Sequence, residues 1–288
     1  MNFFKKWYIY QKERFPILAY GTYVFSIVFA TFCYNYSLIK NNNNVINYIE
    51  LIPMFLVAII QFLIVRIVDE FKDYKEDCKY RPYRPVPRGL VTLKELKILL
   101  YICIIAQIFI TAFFNKNIIL GFIYLIIMCI FFILMSKDFF LSKQIEKNIL
   151  LGVFLDEILM PLLILYISTF MIKPKISLFL LMTYIASWII EIARKVRSKE
   201  KEEKGVKTYT KILGIKKAML LLCGLETIFI ILNIIILKRK IIIIVWIIAI
   251  ITNLIFAIKQ TNKYAKTCEI VANIFVLIIY LSFGLLLK

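Results

Sequence analysis

The sequence predicts an all-α integral membrane protein with nine transmembrane helices. Three observations point there. Apolar and aromatic residues (AVILMFWYC) make up 62% of the 288 positions, and mean hydropathy is +0.84. Nine apolar runs of about 20 residues divide most of the chain, and a helix of about 20 residues crosses a hydrocarbon core of about 30 Å. Lys and Arg fall mainly in alternate connections, as in a multi-pass chain. The composition excludes a disordered chain, and with 19% charged residues an ordinary soluble domain is a poor fit.

Taken in order, residues 1–15 mix Lys5, Lys6, Lys12 and Arg14 with Phe3, Phe4, Trp7, Tyr8 and Tyr10. That is the pattern of an amphipathic segment lying at a membrane surface, and it lacks the cleavage pattern of a signal peptide. The apolar runs then cover 16–39, 46–70, 92–114, 118–136, 146–170, 176–196, 216–237, 241–259 and 267–287. Inside lipid each must be a helix, because its backbone groups find no water to bond. The domain reading is an interfacial segment, 1–15, and a membrane domain, 16–288. The latter comprises two four-span halves with cytosolic loops 71–91 and 197–215, plus a last helix, 267–287.

Nine spans put the N-terminus and the connections near 71–91, 137–147, 194–217 and 259–266 on one side. That side holds 28 of the 37 Lys and Arg. The positive-inside rule makes it cytoplasmic, with the C-terminus outside, in a cell (inner) membrane. The formal charge of +19 is then mostly topology, and no nucleic-acid partner is needed to explain it. Membrane lipids are the expected surroundings.

The chain has no His, which removes an imidazole base, a zinc ligand and a Ser-His-Asp hydrolase. Its six Cys form no CxxC pair and read as small buried residues. No Walker A or dinucleotide fingerprint occurs. Asn41–Asn44 and Ile241–Ile244 read as composition bias.

Two long connections carry the chemistry. The first holds Asp69, Glu70, Asp73, Glu76 and Asp77, then Arg81, Arg84 and Arg88. On a continuous helix, Asp69, Asp73 and Asp77 fall within an arc of about 80°. They stand at a helix C-terminus, whose partial charge is already negative, so stacked carboxylates there call for a cation. Mg²⁺ takes one or two carboxylates plus phosphate oxygens, and arginines offer forked donors to a diphosphate. The same residues also fit a solvated acidic turn neutralised by Arg66, Lys72, Lys75 and Lys79. The second connection holds Glu191, Arg194, Lys195, Arg197 and Ser198. Gly89-Leu90-Val91-Thr92 and Gly205-Val206-Lys207-Thr208 form a weak internal repeat, each piece preceding a new helix.

These residues resemble those of the UbiA superfamily of intramembrane prenyltransferases. Its first motif, Asn-Asp-x-x-Asp-x-x-x-Asp, is matched by Asp73 and Asp77, with acids Asp69 and Glu70 at the first two positions. Its Arg-Pro-Leu-Pro-x-Gly piece is matched by Arg84-Pro85-Val86-Pro87-Arg88-Gly89. Its second motif, Asp-x-x-Asp-x-x-x-Asp followed by Gly-x-x-Thr, is degenerate: Glu191, Arg194 and Ser198 stand at the acidic positions, while Gly205 and Thr208 are retained. The resemblance implies a helical bundle around a central cavity and transfer of a prenyl group from a prenyl diphosphate to a lipophilic or aromatic acceptor. It implies Mg²⁺ as cofactor, with Asp69, Glu70, Asp73 and Asp77 on the metal side. Asp73, Asp77 and Glu191 become the catalytic candidates, and Arg81, Arg84, Arg88, Arg194 and Lys195 the ligands of the donor diphosphate. The degenerate second motif leaves two other readings open. One is a transferase using another diphosphate, such as a phosphoribosyl donor. The other is a non-catalytic binder or transporter of an isoprenoid or solute.

Asp156 and Glu157 lie roughly 15 Å into the fifth run, where carboxylates are costly and tend to face a cavity. They are candidates for an acceptor pocket or for a paired acid within the bundle. Pro161 predicts a kink. Gln107 and Glu226 predict hydrogen bonds between helices, and Arg66 a local ion pair with Asp69 or Glu70. Tyr83 and Tyr209 fit either ligand contact or interfacial anchoring.

Overall fold

The structure is a computed structural model describing residues 2–39, 46–203, 205–239 and 242–287. Asn41–Asn44, Ile241, Lys40, Lys240 and Lys288 lie outside the described residues. Among the described residues the chain is helical without strands. In order the helices are α1 (Phe3–Arg14), α2 (Ile17–Ile39), α3 (Leu51–Lys72), α4 (Tyr74–Tyr80), α5 (Leu93–Phe114), α6 (Ile118–Ser136) and α7 (Ser142–Lys147). Then follow α8 (Ile149–Asp156), α9 (Leu159–Ser168), α10 (Leu178–Arg194), α11 (Tyr209–Leu213), α12 (Ile215–Leu237), α13 (Ile243–Lys259) and α14 (Asn262–Leu281).

Every apolar run is helical, but they are not alike. Among the described residues seven spans are long and apolar enough to cross a bilayer: 17–39, 48–72, 93–114, 118–136, 149–168, 215–237 and 262–287. The sixth and eighth runs form α10 and α13, of 17 residues each. At 1.5 Å per residue such a helix reaches about 25 Å, short of a core of about 30 Å. The fifth run is interrupted. α8 stops at Asp156, and α9 restarts with Pro161 in its first turn, where a missing N–H is tolerated. The kink predicted at Pro161 is this break, and it falls beside Glu157.

Exposure along the spans identifies lipid-facing stripes. On α5, Ile98, Ile102, Ile105, Phe109 and Phe113 are exposed, and on α6, Ile119, Ile123, Ile126, Ile130 and Ile133. Both series follow helical spacing. The opposite faces bury the polar residues. Gln61 donates to Gln107 Oε1 (2.8 Å), and Asn253 donates to Glu226 Oε2 (2.8 Å), so both expected inter-helix bonds are present. Apolar outside and polar inside is the arrangement lipid selects.

The chain divides into two compact units. The first comprises residues 1–143 and 162–174; in it α3 packs on α2, α5 and α6. The second comprises 144–161 and 175–288; in it α12 packs on α10, α11 and α13, and α14 on α10 and α13. The weak repeat has a structural counterpart within each unit. Gly89 (φ 75°) and Gly205 (φ 79°) both occupy the left-handed region. In each case the Thr three residues on caps the next helix. Thr92 accepts from Glu95 N (3.3 Å), with Glu95 reciprocating to Thr92 N (2.9 Å). Thr208 accepts from Lys211 N (3.1 Å). Glycine reaches such a φ without strain, and Thr satisfies an orphan N–H of the new helix.

A corner of the first unit yields a stability prediction. Asn115 Nδ2 donates to Thr169 Oγ1 (2.6 Å), and Asn117 Nδ2 to Thr169 O (2.9 Å). A Cβ on Gly121 would sit 2.5 Å from Asn115 Nδ2 and 2.9 Å from Thr111 Cγ2. Gly121→Ala is expected to cost about 1–3 kcal/mol, read as a lowered melting temperature in detergent. An unchanged melting temperature would show that the corner yields freely.

Candidate active site

In the first unit the acidic segment straddles the junction of α3 and α4. α3 ends at Lys72, Asp73 is the joint, and α4 begins at Tyr74. The continuous helix assumed from spacing is therefore two helices, although the i→i−4 bonds Asp73 N→Asp69 O and Asp77 N→Asp73 O (each 2.9 Å) bridge the joint. The acids keep to one region, but each has a different partner. Asp69 accepts from Arg66 Nη1 (3.3 Å), the expected local pair, while Arg66 Nη2 also donates to Tyr20 Oη (2.7 Å). Glu70 pairs with Arg14 of α1. Asp77 is 1% exposed and holds both Arg81 Nη2 (2.8 Å) and Arg84 Nη1 (2.6 Å). The Asp73 carboxylate stands outside these pairs. Burial, and then the charges of Asp69 and Asp77, push it up to about 6, against the pull of Arg81 and Lys72.

The arginine segment is a compact turn. Arg84 N bonds to Arg81 O (3.0 Å), Arg88 N to Arg84 O (3.0 Å) and Leu90 N to Pro85 O (2.8 Å). Val86 is buried beneath it with Tyr10, Ile67, Val91 and Leu96. Arg88 points elsewhere, to Glu13 (2.8 Å) and the Tyr83 carbonyl (2.9 Å). Lys72 reaches Asp138 (2.7 Å), which begins three residues, 138–140, with positive φ.

Among the described residues no group of three Cys, Asp or Glu side chains gathers as a preformed metal cluster. The donor set still fits Mg²⁺, which needs few protein ligands. Asp73 is a partly buried carboxylate made unfavourable by two neighbouring acids, the condition a dication relieves.

In the second unit Glu191 accepts from Arg194 Nη2 and Lys195 Nζ, each at 2.5 Å. The Tyr209 hydroxyl also donates to it, at 3.4 Å. Tyr209 is fully buried, so it is no interfacial anchor. Burial and then the Glu191 charge push its hydroxyl above the usual range. Glu157, at the break between α8 and α9, is hydrogen-bonded to Ser187 and lies within the electrostatic reach of Glu191, Arg194 and Asp156. Glu157 and Glu191 with its cations are thus near enough to feel one another's charge. Beside the break lies a shallow, open apolar groove of about 280 Å³ lined by Phe154, Ile158, Pro161 and Tyr184. Glu202 binds the hydroxyls of Thr208 (2.6 Å) and Thr210 (2.8 Å), which closes the loop on itself.

Sequence reasoning did not find Arg14, Glu13 or Asp138 as neighbours of the first motif, nor Ser187 as the partner of Glu157. Their separations, such as the 56 residues between Arg14 and Glu70, carry no periodic signal.

A sequence model of the UbiA prenyltransferase family matches residues 28–279. A comparison with curated protein sequences finds no match. The fold is similar to that of a digeranylgeranylglyceryl phosphate synthase studied in membranes, with a TM-score of 0.61 and 19% identity over 98% of this chain and 99% of that one. It is similar to an apo UbiA homologue from Aeropyrum pernix K1, with a TM-score of 0.56 and 11% identity over 89% and 97%. A UbiA homologue from Archaeoglobus fulgidus bound to DMAPP and Mg²⁺ aligns with a TM-score of 0.54 and 12% identity over 95% and 99%. With most of its length matched by the family and its apolar helices arranged for lipid, the chain belongs to the UbiA prenyltransferase family and is a multi-pass membrane protein.

Proposed function

We propose that this chain transfers a prenyl group from a prenyl diphosphate to a lipophilic or aromatic acceptor, with Mg²⁺ bound at the first acidic segment. The observation that carries the proposal is the joint of α3 and α4. There Asp73, raised by burial and then by Asp69 and Asp77, lies within reach of Arg81, which Asp77 holds together with Arg84. The Archaeoglobus fulgidus homologue, bound to DMAPP and Mg²⁺, supports the donor class.

In this reading Asp69, Asp73 and Asp77 are the acids on the metal side. Mg²⁺ supplies charge neutralisation of the departing diphosphate. Arg81 and Arg84, fixed by Asp77, present guanidinium donors to the phosphate oxygens as their charge grows. Arg88, turned toward Glu13, supports the loop from its outer side. In the second unit, Glu191 orients Arg194 and Lys195 as phosphate-binding cations. Asp156 and Glu157 mark the acceptor end: Glu157 can bind a polar group of the acceptor, and the adjoining open apolar groove its hydrocarbon part. All nine apolar runs cross the membrane in this reading, with α1 at the cytoplasmic surface and the C-terminus outside.

The test is thermal stabilisation of the purified protein by a non-cleavable geranylgeranyl thiodiphosphate, with and without Mg²⁺. Stabilisation that requires Mg²⁺ and disappears in Asp73→Asn is expected, since a ligand that binds only the folded state raises its melting temperature. No stabilisation across several prenyl lengths would overturn the donor assignment. Phosphoribosyl donors and solute binding would then be the readings to test.

A further inference from the structure

Glu70 differs from the other acids of the first segment. Its side chain is 1% exposed, and its partner, Arg14, is 11% exposed. Asp69 and Asp77 pair with arginines of their own segment, whereas Glu70 pairs with another helix. On α3, Glu70 projects about 100° from Asp69 and about 60° from Asp73. Arg14 is the last residue of α1, and α1 is tied down along its length. Tyr10 is 2% exposed and packs with Ile67 of α3, Val86 of the arginine turn, and Val91 and Leu96 at the start of α5. Lys6 pairs with Glu95, and Glu13 with Arg88. One helix therefore grips the end of α3, the arginine turn and the start of α5.

We infer that Arg14 is a positioning residue of the donor site, compensating the buried charge of Glu70 and holding it away from the metal-side acids. The inference rests on the donor-site reading and adds to it a division of labour. Of the five acids between 69 and 77, Glu70 serves the fold, while Asp69, Asp73 and Asp77 are those assigned to the metal side. A carboxylate as buried as Glu70 requires a partner, and freed of Arg14 it becomes an uncompensated charge beside Asp69 and Asp73. It would then compete for the cation or push the joint apart. Supporting partners of this kind typically change metal affinity without touching the metal.

Two readouts on the full chain in detergent test this. The first needs no ligand: the alkylation rate of Cys78 on α4. Cys78 is exposed, whereas the other five cysteines are buried or half-buried. The second is the Mg²⁺ concentration giving half-maximal stabilisation by geranylgeranyl thiodiphosphate. Arg14→Gln is expected to speed Cys78 labelling several-fold and raise the Mg²⁺ half-point by about tenfold. Glu70→Gln is expected to keep that half-point within about threefold of the parent, and the double variant to bring both readouts back to a similar range. Arg14→Lys keeps the charge and should fall nearer the parent; it gives the same comparison should Arg14→Gln not yield folded protein.

Loss of Mg²⁺-dependent stabilisation in Glu70→Gln, as in Asp73→Asn, would overturn the inference by making Glu70 a ligand. So would Arg14→Gln with both readouts unchanged, even with a lowered melting temperature. A parent protein that shows no Mg²⁺ response would defeat the donor reading instead. Cys78 labelling would then decide the positioning role: faster in Arg14→Gln and recovered in the double variant if it holds, unchanged if it does not.

Discussion

Asp77→Asn is expected to lower pyrophosphate release from a prenyl diphosphate by at least about 100-fold and to destabilise the apo protein as well. Both effects follow from one carboxylate. Asp77 is 1% exposed and carries two arginines, Arg81 at 2.8 Å and Arg84 at 2.6 Å. Asparagine keeps the shape but not the charge, so two guanidiniums are left facing each other without a counter-ion. Breaking a buried pair this way costs about 3–5 kcal/mol. The arginines then lose the placement that lets them meet a diphosphate, and the metal side loses an acid. Arg84→Gln is expected to be milder, because Asp77 keeps Arg81. Pyrophosphate release with melting temperature, measured on both variants, checks the order. Full release by Asp77→Asn would remove it from the site.

Much of this arrangement was legible in the sequence because its signals are local. Helical runs announce themselves by composition, and the repeated Gly-x-x-Thr pieces mark where a new helix begins, although not that Thr92 and Thr208 cap it. Arg66 beside Asp69 is a neighbour on the same helix, and the pairing of Gln107 and of Glu226 follows from the cost of bare polar groups in lipid. What the sequence hid was of three kinds. The joint at Asp73 was invisible because the segment reads as one helix and its i→i−4 bonds continue across it. The role of α1 was half visible: its basic and aromatic residues suggested a surface helix, but nothing pointed Arg14 at Glu70. Lengths near the threshold were the third kind. α10 and α13 have the apolar content of spans, yet at 17 residues each they fall below what a bilayer asks of a single straight helix.

The degenerate second motif becomes easier to understand once its contacts are known. Arg194 stands where the family has an acid, and it reaches back to Glu191 together with Lys195. A carboxylate held between two cations at 2.5 Å is poorly placed to take a dication as well. In the proposed function the substitution exchanges an acid on the metal side for a cation on the phosphate side. That change favours direct contact of Arg194 and Lys195 with an anionic group.

Asp73 supplies the second large effect, and its sign can be worked out from its surroundings. Burial and the charges of Asp69 and Asp77 raise its carboxyl from an ordinary 3.8 to about 6. The folded protein therefore holds a proton that the unfolded chain has released between those two values. In that window the apo protein loses stability as pH rises, on the order of 3 kcal/mol across the whole interval. Asp73→Asn removes this slope and leaves the apo protein more stable at pH 7.5 than the parent. Ligand binding runs the other way. In the proposed function Mg²⁺ competes with the proton for the same carboxylate, so the Mg²⁺ half-point is expected to be flat well above pH 6 and to rise about tenfold per unit below it. Thermal scans from pH 4.5 to 8, with and without Mg²⁺ and geranylgeranyl thiodiphosphate, separate the two trends. A half-point indifferent to pH, or one retained in Asp73→Asn, would mean that the cation sits elsewhere. Opposite slopes, both abolished by a single Asp-to-Asn change, would tie them to one group. The burial and repulsion that make Asp73 a burden to the empty fold would then be what draws the cation to it.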